Sequence, residues 1–194
     1  MTLPIVLASA SPRRAFLLKS AGIPFETVQP GQVEGKPGRP SDPRELAKAL
    51  ARAKAKSVAT GSDRIFLGCD TLVAVDKTIL GKPASPSDAR RMLKILSGRW
   101  HRVITGVCVL DPRSGRELLD CEETRVRFAR LGSDEIEAYV ASGEPLDKAG
   151  AYGVQGGAAS FVVGLEGPLD NVIGLPVRLV RKMLLELRDT VEDV

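Results

Sequence analysis

The first apolar run of the chain, residues 3–8, is unbroken and of strand length, which suits a strand buried on both faces. A helix is predicted directly after it, with Ser11 as N-cap, Pro12 at the first helical position, Phe16 and Leu17 turned inward and Gly22 as the stop. Residues 25–28 read as a second strand, and residues 29–40 as a Gly/Pro-rich loop whose only acid is Glu34. Asp42-Pro43-Arg44-Glu45 opens a long helix reaching about Thr60, with Leu46, Ala49, Leu50, Ala53 and Val58 as its apolar stripe and a basic opposite face. Residues 65–69 form a short apolar strand ending at Asp70, and residues 72–75 continue extended to a turn at Asp76-Lys77.

A helix over residues 87–96 follows, capped by Ser85 or Ser87 and stopped by Gly98. Residues 101–110 and 116–130 pair as a hairpin around the turn at 111–115, since Val126 and Phe128 alternate with Arg125 and Arg127. A helix over 134–141 with Ser133 as cap, a strand over 160–164 and a terminal amphipathic helix over 177–187 complete the pattern. Strands alternate with helices, and neither repeat nor linker interrupts them. The expectation is one α/β domain with a mixed sheet, spanning residues 1–194.

At 194 residues the chain can bury an ordinary core without staples. Its 43% hydrophobic and 27% charged residues exclude a disordered or fibrous chain. With 4% aromatics it has few platforms for stacking bases, which counts against single-strand nucleic-acid binding. The net charge of +4 favours anionic partners without choosing among them. Cys69, Cys108 and Cys121 are odd in number and form no C-x-x-C pair, so reduced thiols and a cytoplasmic location are expected. Ala8-Ser9-Ala10 imitates a signal cleavage site, but no basic residue precedes the run and a cationic pair follows it, so no leader is read. No apolar stretch approaches the length of a membrane span.

Three constellations carry candidate chemistry. Ser9 to Arg14 lies in a strand-to-helix turn, where free N–H groups and the forked donors of Arg13 and Arg14 suit phosphate oxygens; the alternative is a capped helix with two solvated arginines. Asp70 interrupts apolar sequence, and a carboxylate there needs a metal, a cation or a water to activate; the alternative is a strand-ending Asp bonded to a turn. Lys82 in Gly81-Lys82-Pro83, Lys54 and Lys148 could join Arg13 in neutralising a triphosphate. Cys69 reads as a packed thiol, and His101, the single histidine, as structural rather than a general base. One histidine and no cysteine cluster exclude a zinc site and leave a hard cation such as Mg²⁺ or Mn²⁺. Walker and Rossmann glycine motifs are absent.

The segments LASASPRR, Glu34, LARAKA around Lys54, GCDT at Asp70, GKP at Lys82, SGRWH, DKAGAYGVQG and NVIGLP run from residue 7 to 176. Together they resemble the Maf family of nucleoside triphosphate pyrophosphatases. The resemblance implies a mixed-sheet fold of the Maf/inosine-triphosphatase-like kind with two lobes around a cleft, a homodimer in many members, and hydrolysis between the α and β phosphates. By position it implies Asp70 as proton acceptor, Glu34 and Lys82 as further catalytic residues, and Glu34 and Asp70 as carboxylates for a divalent metal. Ser9, Arg13, Arg14, Lys54, Thr71 and Gln155 match substrate-binding positions, and Thr71 with Gln155 resembles the subgroup preferring dTTP and UTP. Cys69 stands where Ala is commoner, and the loop at Gln32-Val33-Glu34 is less acidic than usual, which bears on the metal's ligand set. Asp70 and Glu34 divide the work of base and metal ligand; Asp70 is taken as the base. Rival readings are a house-cleaning enzyme for other modified nucleotides, a regulator of septum formation, and a nucleic-acid binder using Lys48, Arg52 and Lys56.

Overall fold

A computed structural model describes residues 4–31, 42–61 and 63–189; Glu34 lies outside them. Among the described residues seven strands form one mixed sheet: β1 (Ile5–Ala8), β2 (Phe25–Val28), β3 (Ile65–Val75), β4 (Thr78–Leu80), β5 (Trp100–Asp111), β6 (Arg116–Phe128) and β7 (Val162–Glu166). Their order is β2-β1-β3-β5-β6-β7, with β4 paired to β3. β1 runs parallel to β2 and β3, as strand-helix-strand crossovers require, while β4 on β3 and β7 on β6 are antiparallel. The helices are α1 (Pro12–Ser20), α2 (Pro43–Val58), α3 (Pro86–Leu96), α4 (Ser133–Ala141), α5 (Leu169–Ile173) and α6 (Val177–Asp189).

The chain divides into two compact units, one holding residues up to Asp70, Thr105–Glu122 and Gly174 onward, the other Thr71–Ile104 and Glu123–Ile173. In the first unit the sheet is covered on both faces. Leu7, Leu67, Cys69 and Val107 pack with Leu18 of α1 and with Leu179, Val180 and Met183 of α6. Val6, Phe66 and Cys108 pack on the other face with Ala51 and Ala55 of α2. In the second unit Val73, Val103, Val126 and Phe128 form a core with Leu93 and Leu96 of α3 and Ile136 and Val140 of α4.

Helix α2 begins as expected, with the Arg44 N–H donating to Asp42 Oδ1 (2.9 Å), but its inward stripe is Ala47, Ala51, Ala55 and Val58. The expected Leu46, Ala49, Leu50 and Ala53 are only half-buried. Close approach explains the shift: a Cβ at Gly68 would lie 2.1 Å from the Ala51 carbonyl oxygen, and one at Gly106 2.2 Å from that of Ala47. The backbone of α2 therefore rests against two strand glycines, and only alanine fits between.

Other expectations shift in detail. Leu18, not Phe16 or Leu17, is the buried residue of α1, and Phe16 is 60% exposed. α3 is capped by Ser85, whose Oγ accepts from the Asp88 N–H (3.1 Å). Gly132, not Ser133, holds the cap position of α4, and its N–H donates to Glu135 Oε2 (2.7 Å). The strand expected over 160–164 begins at Val162, after a 3-10 turn at Gly157–Phe161. β4 and α5 are short elements that the pattern did not announce.

Candidate active site

Asp70 is the sixth residue of the eleven-residue β3 and not its end. What ends nearby is the neighbour: β1 pairs with β3 only as far as Ala8 beside Gly68, so Asp70 lies two residues past the last parallel partner. Alternation along a strand places Asp70 on the same face as Phe66 and Gly68, the face that α2 covers. From α2 the ammonium of Lys54 meets Asp70 Oδ1, with side chains 26% and 15% exposed. At this partial burial the ammonium holds the carboxylate in place and the carboxylate still touches solvent.

Ser9 follows directly on β1 and is buried. Its Oγ accepts from the Ser11 N–H (3.1 Å) and from Arg14 (3.3 Å), while Arg14 Nε donates to the Gly174 carbonyl (2.7 Å). Ser11 stands at the N-cap of α1 but makes no side-chain cap; its N–H is spent on Ser9 instead. Arg14 thus ties the strand-to-helix turn to the segment before α6, and Arg13 sits half-buried beside it. The first unit in this way brings Asp70 onto Lys54 and Ser9 onto Arg14.

Thr71, Lys82 and Gln155 belong to the second unit. Thr71 is half-buried on β3, and Lys82 is exposed after β4. Gln155 is exposed in a turn closed by the Gly156 N–H donating to the Gly153 carbonyl (3.2 Å). Lys148 serves the scaffold rather than a ligand, since its ammonium donates to the Glu144 carbonyl (2.6 Å) and to Asp147 Oδ1 (2.7 Å). Beneath the Gln155 turn lie Glu144 and Tyr139, which sequence reasoning passed over. Their one signal is the density of glycines at 153, 156 and 157, which betrays close contact without naming the partner.

Several candidates fall away. Cys69 is fully buried, and burial pushes its thiol up to about 11, so it is packing, not nucleophile. His101 is 2% exposed; its Nε2 shares a 2.7 Å hydrogen bond with the Tyr152 hydroxyl, and its ring stands edge-on to Phe128. Burial pushes its pKa down to about 4, against a lesser upward pull from the Arg99 backbone, which makes it a neutral core residue. On α2, Lys48 pairs with Glu45, while Arg52 (2.6 Å) and Lys56 (3.0 Å) share Glu117, so all three cations of the basic face have acidic partners within the protein. Trp100 lies under the Arg125 guanidinium, 4.9 Å from its ring centre, and offers no stacking platform. No group of three or more His, Cys, Asp or Glu able to hold a metal converges among the described residues. None of the described helices is long and apolar enough to cross a membrane.

The mixed-sheet α/β protein thus carries a lysine-held carboxylate past the end of a parallel strand pair and a serine-arginine turn opening the adjoining helix. The model of the Maf-like protein family matches residues 4–187, and the chain belongs to that family. It is 51% identical over 181 residues to the dTTP/UTP pyrophosphatase of Moorella thermoacetica, covering 93% of each chain. It is 48% identical to the dTTP/UTP pyrophosphatase of Alkaliphilus oremlandii, covering 89% of this chain and 90% of that one. The protein of that name from Koribacter versatilis is 45% identical, with 93% and 92% covered.

Proposed function

We propose that this chain hydrolyses dTTP and UTP to the nucleoside monophosphate and pyrophosphate. The observation that carries the reading is the end-to-end identity of about half with proteins named for that activity. The Lys54–Asp70 pair supplies a fitting catalytic acid–cation arrangement. Lys54 holds Oδ1, which leaves Oδ2 to take a proton from water. The water oxygen bonds to the α-phosphorus, the bond from that phosphorus to the α–β bridging oxygen breaks, and its electron pair leaves with pyrophosphate. Arg13 and Lys82 are assigned to phosphate oxygens, and Arg14 holds Ser9 and its turn in shape.

The donor set suits a hard cation. Mg²⁺ needs only one or two carboxylates when substrate phosphates and waters complete its shell. With Asp70 as the base, Glu34 is the carboxylate assigned to hold Mg²⁺ or Mn²⁺, which when bound would neutralise phosphate charge. Gln155 presents one acceptor and one donor, the complement of the N3–H and O4 shared by thymine and uracil. We assign it to a reducing cytosol, a reading that its three free thiols support.

The test is pyrophosphate release across common and modified nucleotides with Mg²⁺, Mn²⁺ and chelator. Turnover of dTTP and UTP that chelation abolishes is expected, with Asp70→Asn lowering it by about 10²-fold or more. An Asp70→Asn enzyme keeping over about a tenth of wild-type turnover rules out the base role.

A further inference from the structure

The turn that carries Gln155 is suspended from one carboxylate. Glu144 Oε2 accepts from the Gly157 N–H (2.9 Å), and Glu144 Oε1 accepts from the Tyr139 hydroxyl (3.0 Å), which itself accepts from the Gly153 N–H (3.2 Å). Both ends of the five-residue segment thus lead to Glu144, one directly and one through Tyr139. The fit leaves no slack. A Cβ at Gly156 would lie 2.1 Å from Glu144 Oε1, and one at Gly153 would lie 2.7 Å from Lys148 Cε.

The anchor is itself held. The Glu144 N–H donates to Ser142 Oγ (3.2 Å), and its carbonyl accepts from Lys148 (2.6 Å). Tyr139 packs edge-on against Phe161, 5.3 Å between ring centres. Gln155 stands at the exposed apex of this frame.

We propose that Glu144, with Tyr139 as its relay, is a positioning residue that sets the Gln155 turn for selection of the nucleobase. The inference rests on the assignment of Gln155 to the base of dTTP and UTP. A side-chain amide tells the N3–H and O4 edge of uracil from the N3 and N4–H₂ edge of cytosine only if its plane is fixed, and its plane follows the backbone beneath. Without the carboxylate the Gly157 N–H turns to water, the Tyr139 hydroxyl under the Gly153 N–H loses its own acceptor, and the amide reaches either edge.

The experiment measures kcat and KM for dTTP, UTP and dCTP with wild type, Glu144→Ala, Glu144→Gln and Tyr139→Phe. Folding is checked by circular dichroism. Glu144→Ala is expected to raise KM for dTTP and UTP about tenfold with kcat little changed, and to cut the dTTP-to-dCTP ratio of kcat/KM by a similar factor. Glu144→Gln, which keeps one accepting oxygen, restores part of that ratio, and Tyr139→Phe loses less of it than Glu144→Ala. A folded Glu144→Ala enzyme with the wild-type ratio, or one whose kcat falls equally for every nucleotide, overturns the inference. If Glu144→Ala does not fold, an unchanged ratio in Tyr139→Phe and Glu144→Gln overturns it instead. A wild-type protein that does not turn over dTTP or UTP overturns the functional reading, and the inference with it.

Discussion

At the scale of single residues, the ion pair at Asp70 makes a sharp demand. Lys54→Met removes the group that fixes the carboxylate, so kcat is expected to fall by about tenfold or more while the melting temperature moves little, measured by pyrophosphate release and calorimetry. His101 gives a second expectation. Its ordinary pKa of 6.5 drops to about 4 in the fold, so the unfolded chain takes up a proton before the folded one does. Stability is then complete above pH 6.5 and declines by up to about 3 kcal/mol as pH falls to 4. Urea unfolding at pH 7 and 4.5 checks it, with His101→Gln flattening the slope. The acid in its apolar run was legible at this scale because a lone carboxylate among Leu67, Cys69 and Leu72 breaks a pattern. Glu144 was not, because its partners are the backbone N–H of Gly157 and the Tyr139 hydroxyl, and a glutamate in a polar stretch breaks no pattern.

Elements follow hydrophobic period where side chains do the packing and escape it where backbone does. The strand pair β5–β6, the cap of α2 and the order of the longer elements were readable, while the cap of α3 was narrowed to Ser85 or Ser87 and β4 and α5 were missed. The stripe of α2 was misread because three alanines, weak in any hydrophobicity count, are the residues against the sheet. This contact also carries Lys54, so packing and chemistry are linked through two glycines. Gly68→Ala is expected to destabilise by about 3 kcal/mol or more, since the added methyl meets backbone and not a movable side chain. Activity in surviving folded protein should drop as the helix lifts Lys54 from Asp70. Thermal melts and turnover of Gly68→Ala and Gly106→Ala test this, and unaltered melting in both would refute the close-packing account. Glu117 shows a milder dependence: burial pushes its pKa up, but its bonds to Lys56 and Arg52 outweigh that and hold it below the usual carboxylate range.

For the whole molecule, each of the two units has its own core, and β3, β5 and β6 contribute residues to both. Covalent continuity through three strands predicts one unfolding transition, with calorimetric and van't Hoff enthalpies equal. The thiols should divide two to one. Cys69 and Cys108 are buried, with burial pushing them up to about 11 and 12, whereas Cys121 is half-exposed. A thiol reagent at pH 8 is expected to modify one cysteine in the native protein and three in denaturant. The charge balance of +4 was visible from the start, but its placement was not, because Glu117 is far from Arg52 and Lys56 in sequence yet pairs with both. Trp100 and Cys121 fall in different units. The natural chain therefore carries one indole donor in one unit and one labelling point for an acceptor dye in the other, a ready pair for energy transfer without a single mutation.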